Sequence, residues 1–145
     1  MDRLVADPGI KVLEGQGVPG TDLIRLAQHV MHGRLAFARG DYAAAAEAYR
    51  KAQAIEGTIP YQEPPYWYYP VGQSLGAALL AAGKAEEARD AFHQALLVAP
   101  GNGWALWGLA RSERALGHEL EARAAEAALG RAWLGDRRLL TLDRL

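Results

Sequence analysis

The sequence predicts an all-α fold assembled from repeated helix pairs, on three observations. Strand signals are nearly absent: β-branched residues are sparse, and no apolar–polar alternation runs beyond a few positions. Alanine and leucine, both strong helix formers, dominate from residue 21 onward. The third observation is an internal repeat. Gly40 opens GDYAAAAEAYRKAQAIE, Gly83 opens GKAEEARDAFHQALLVAP and Gly117 opens GHELEARAAEAALGRAW.

Side chains recur at fixed offsets from these glycines. The fifth residue onward is always small, Ala45, Ala88 and Ala122. The twelfth is Ala52, Ala95 and Leu129. The ninth is large in two copies, Tyr49 and Phe92, and is Glu126 in the third. Upstream, His32-Gly33, Leu75-Gly76 and Leu109-Ala110 hold matching places. Two antiparallel helices approach closely only where small residues face each other, and a ring can then wedge against the next pair. A glycine at each turn suits the left-handed conformation that ends a first helix.

Gly83 and Gly117 are 34 residues apart, the period of a tetratricopeptide repeat. The chain resembles that family over about residues 26 to 134. Leu75, Gly76, Leu79, Gly83, Ala88, Phe92, Ala95 and Pro100 all fall on its consensus places. Repeat one lacks the closing proline, and repeat three lacks the second-helix aromatic. The run from EPPYWYYPVGQSLGAALLAAGKAEEA to PGNGWALWGLARSERALG also resembles the C-terminal part of longer bacterial proteins of this family. The resemblance implies a short right-handed solenoid of three helix-turn-helix repeats, at about 26–59, 69–102 and 103–134. The array spans 21–134.

Residues 1–20 read as an irregular lead, rich in glycine and proline, with Thr21 or Asp22 as the first N-cap. Helices follow at roughly 22–39 and 41–56, 69–82 and 84–98, then 103–116 and 118–134. APGNG at 99–103 is a stop signal. Residues 135–145 form a tail that docks Leu139, Leu140 and Leu142 or frays. Gly40 and Gly83 are 43 apart, so one insertion sits between repeats one and two. It holds TIPYQEPPYWYYP, stiffened by four prolines.

Composition excludes several functions. The chain has 145 residues, no cysteine and a net charge of −1. Disulfides and thiolate chemistry are therefore out, and no basic surplus serves a nucleic-acid backbone. No signal peptide and no membrane span is evident, so the expected compartment is the cytoplasm. Neither serine, Ser74 nor Ser112, stands in a nucleophile elbow, and no phosphate-cradling glycine loop is visible. The expectation is a protein that is not an enzyme and carries no cofactor.

Binding residues are the remaining candidates. By analogy with the family, the first helices line a groove with Arg34, Phe37, Gln73, Ala77, Trp104, Trp107, Arg111 and Arg114. Trp104, Trp107 and Arg111 share one helical stripe, and arginine forks pair with carboxylates. Tyr61 and Tyr66 of the insertion are expected at the groove, whereas Trp67 and Tyr69 are expected in the core. The expected partner is a protein or peptide segment, acidic or C-terminal. The competing reading has the tryptophans packed and the arginines paired with Glu113, Glu119 or Glu121. Met31, Ser74 and Gly108 stand where the family's carboxylate-clamp type carries asparagine, which argues against that type. His29 and His32 share a helix face and could supply two metal ligands, although a site needs more; a buried structural pair competes. His93 and His118 read as solvated. The alternatives to a peptide-binding or assembly module are a small-molecule or metal-binding protein at His29, His32 and the insertion tyrosines, and a self-associating scaffold.

Overall fold

The computed structural model describes residues 2–145, and among them no strand occurs. Eight α-helices run in order: α1 Asp2–Val5, α2 Pro8–Gly15, α3 Gly20–Ala38, α4 Tyr42–Glu56, α5 Val71–Ala81, α6 Ala85–Val98, α7 Gly103–Ala115 and α8 Glu119–Ala132. Two 3-10 turns, Arg137–Leu139 and Leu142–Arg144, complete the tail. From α3 to α8 each helix packs mainly on the helices before and after it, and α5 also reaches α7.

The turns within the pairs α3–α4, α5–α6 and α7–α8 use left-handed glycines, Gly40, Gly83 and Gly117, with φ of 77°, 76° and 79°. No other residue type adopts that conformation cheaply. The recurring alanines Ala45, Ala88 and Ala122 are fully buried. A Cβ at Gly33 would stand 2.7 Å from the Tyr49 ring, one at Gly76 2.7 Å from Phe92, and one at Gly108 2.2 Å from Phe92. Phe92 on α6 thus lies between backbone faces of α5 and α7. In the last pair Glu126 replaces the aromatic, and Trp133 instead closes on Gly103, 2.7 Å from its would-be Cβ.

The residues before α3 are not an irregular lead. Asp7 caps α2 by accepting from the Gly9 N–H at 2.7 Å, with Pro8 in the first turn. An acid followed by proline is a helix-start signal that the density of glycines obscures. Neither Thr21 nor Asp22 caps α3. That helix begins at Gly20, and the Glu14 carboxylate accepts from the Thr21 N–H at 3.1 Å. Helix α5 is also capped from a distance: Pro70 offers no side-chain acceptor, and the Glu56 carboxylate takes the Val71 N–H at 3.1 and 3.2 Å. Burial raises the Glu56 pKa above its ordinary value, and the Val71 bond offsets part of that.

Candidate functional site

Helices α3, α5 and α7 each present residues to one face, and the tail lies across it. Leaving α8, the tail places Leu140 between Leu106 of α7 and Leu129 of α8, 6% exposed. Arg137 and Leu140 border a cavity of about 270 Å³ with Trp107, Arg111 and Arg114 of α7. Leu142 packs on the main core, and the second 3-10 turn contacts α5. Leu145, 5% exposed, ends against α5, where the fully buried Ser74 donates to its main-chain oxygen at 3.0 Å. The tail therefore crosses α7, then α5, then approaches α3. It departs from the expected trio: Leu140 and Leu145 are the buried leucines, Leu142 is half-buried and Leu139 is exposed.

The tail does not fill this face. Beside it opens a cleft of about 530 Å³ bordered by Arg34 and Phe37 of α3, Tyr49 of α4, Ser74 and Ala77 of α5, and residues 142–145. The Tyr69 hydroxyl stands 3.3 Å from Ser74 Oγ. Burial works against the charge on Arg34, yet Tyr69, Tyr68 and Tyr49 around it hold the guanidinium pKa above its usual value. Burial likewise pushes the Tyr49 phenol up to about 12, helped by Tyr69 and opposed by Arg34. The cleft thus sets the Arg34 guanidinium among three tyrosine rings. Within the tail the buried Thr141 hydroxyl stands by the Asp143 carboxylate and holds its pKa below the ordinary value.

The expected groove residues fall into separate settings. Arg34 and Phe37 line the cleft together, Phe37 edge-on to Tyr42 at 5.0 Å. Arg111 lies over the Trp107 ring at 5.0 Å, and Arg114 pairs with Glu126 at 2.8 Å. The arginine partner is Glu126 rather than Glu113, Glu119 or Glu121. Trp104 is turned from the stripe and packs edge-on against Trp133 at 5.0 Å. Gln73 is buried and accepts from Asn102 Nδ2 at 2.8 Å, so its amide ties α5 to the start of α7.

Tyr61 and Tyr66 do not join that face. With Trp67, Ile59 and Pro60 they line a separate pocket of about 460 Å³ over the ends of α4 and α6, floored by Gln53, Gln94 and Val98. Of the two insertion residues expected in the core, Trp67 packs against it, whereas Tyr69 stands by Ser74 and Arg34. The two rings cluster at 5.9 Å. Tyr61 is exposed and hydrogen-bonds Glu63. The insertion covers the C-terminal ends of the second helices, and only Tyr68 and Tyr69 approach Arg34.

His29 is half-buried and His32 exposed, so they form no buried structural pair. Burial, then Lys51 and His32, lowers the His29 pKa. Among the described residues no three His, Asp or Glu side chains come together to hold a metal. His93 and His118 are exposed, but both face the buried Glu113 carboxylate, His118 Nδ1 at 2.8 Å and His93 Nε2 at 3.8 Å. The residues that sequence reading missed are Tyr49 as a cleft wall, Glu126 as an ion-pair partner and the Leu140–Leu145 spacing, visible in LLTLDRL.

No protein-family model matches the chain, and no curated protein matches it. Among the described residues no helix is long and apolar enough to cross a membrane.

Proposed function

We propose that this protein is a non-enzymatic module that binds a protein or peptide segment across the face of α3, α5 and α7, in the manner its resemblance to tetratricopeptide repeats implies. The observation that carries this reading is the tail itself. A segment of two 3-10 turns already lies on that face, with two leucines buried and a main-chain oxygen accepting from Ser74. The left-handed turn glycines and the glycine–ring contacts support the repeat assignment. Peptide-array binding by the full chain tests it. Capture of acidic, leucine-bearing peptides, lost in Arg34→Glu and weakened in Trp107→Ala, is the expected result. Capture indifferent to both substitutions would contradict it.

A second reading rests on the aromatic pocket of the insertion. Its volume of about 460 Å³ falls within the range of small-molecule sites, roughly 300–1,000 Å³. An apolar ligand there would raise the melting temperature, and Tyr66→Ala would remove the rise. Among the described residues a metal at His29 and His32 has no third ligand beside it.

A further inference from the structure

We infer that the tail is a built-in competitor for the groove: the face takes a partner segment whose leucines enter the places now held by Leu140 and Leu145, whose acidic side chain meets Arg34, and which binds only once the tail has left. The inference rests on the peptide-binding reading above and adds to it the ligand's pattern and its regulation.

Four observations carry it. The tail runs across all three helices rather than along one, the path a segment bound in trans would also need. Its anchor to α5 is the main-chain oxygen of Leu145 taken by Ser74, a contact that does not depend on the side chain. Apolar sites for side chains five residues apart give the selectivity, one walled by Leu106 and Leu129 and the other beside Ser74. The fit of the tail is incomplete. A cleft of about 530 Å³ remains beside it. Among the described residues Arg34 forms no ion pair, although Asp143 borders the same cleft. A ligand that also places a carboxylate on Arg34 outcompetes a tail that does not.

The test uses the full chain and a labelled peptide, DRRLLTLDEL, the sequence of residues 136–145 with glutamate in place of Arg144, which borders the cleft with Arg34, with binding read by fluorescence anisotropy. Leu145→Asp undocks the tail, and the peptide then binds at least tenfold more tightly than to wild type. Adding Arg34→Glu to that variant removes the gain. Leu134→Asp, on a fully exposed side chain, binds as wild type does. Circular dichroism checks the fold, and Leu145→Ala serves in place of Leu145→Asp should helicity fall. Equal affinity for wild type and undocked variant, still lost in Arg34→Glu, overturns the competitor while leaving the groove intact. No binding to either protein overturns the groove reading as well. A wild-type mass that doubles with concentration, and returns to monomer in Leu145→Asp, overturns the inference in favour of tails exchanged between two copies.

Discussion

Helix α6 and the tail both pack against α5 and α7, but by different means. Phe92 of α6 is fully buried and lies so close to Gly76 and Gly108 that neither could carry a methyl group without displacing the ring. The tail rests on Leu140, Leu142 and Leu145 and on one hydrogen bond from Ser74, beside a cleft it leaves open. Shape complementarity at backbone distance holds the helix pairs in one arrangement. Apolar contact through a few side chains covers the face yet can be exchanged for a similar contact. The same molecule thus has a rigid frame and a removable cover.

The comparison can be broken from the frame side first. Phe92→Ala should cost about 3–5 kcal/mol, seen as a fall in the urea midpoint, because Gly76 and Gly108 cannot close the void. Gly108→Ala should cost about 1–3 kcal/mol by overpacking. Alanine's helix propensity favours the opposite sign by about 1 kcal/mol, so a stabilised variant would show that α7 can move away from α6. The cover should respond far less. Undocking by Leu145→Asp forfeits about 1.5–3 kcal/mol of apolar burial at each of Leu140, Leu142 and Leu145, but the released residues regain about 1–2 kcal/mol of backbone entropy each. The two nearly cancel, so the unfolding free energy in urea should change by about 1 kcal/mol or less, while peptide binding changes strongly.

The smallest effect sharpens the frame. Burial holds the Glu56 pKa above its ordinary 4.5, so the folded state binds this proton more tightly than the unfolded state. Glu56 then favours folding most below that value, and the advantage is lost as pH rises through the folded pKa. Glu56→Gln keeps an acceptor for the Val71 N–H and should flatten this dependence, with melts at pH 4 and pH 7 differing less than in wild type. An unchanged slope would place the dependence elsewhere.

The frame was readable because its determinants are local and periodic. Glycines at one offset require one backbone conformation, and alanines at another permit close approach, so helix ends fell within a few residues of their expected places. Helix α2 was missed because Asp7-Pro8 sits among glycines that suggest a loop. The site was read poorly because its contacts are between elements distant in sequence. Nothing in the spacing of Trp104 says that Trp133 will take its face, nor that Asn102 will occupy Gln73. Tyr61 and Tyr66 were assigned to the groove because an insertion's sequence does not reveal which end of the helices it covers. The LLTLDRL pattern was in view, but its docking place depends on where α8 releases the chain.

Amide hydrogen exchange along the full chain, with and without the DRRLLTLDEL peptide in solution, tests the removable cover most directly. Amides of residues 139–145 should exchange far faster than those of α5 to α7, and the peptide should speed them further while slowing α5. A tail whose amides exchange only with the core, at a rate the peptide leaves unchanged, would contradict the account.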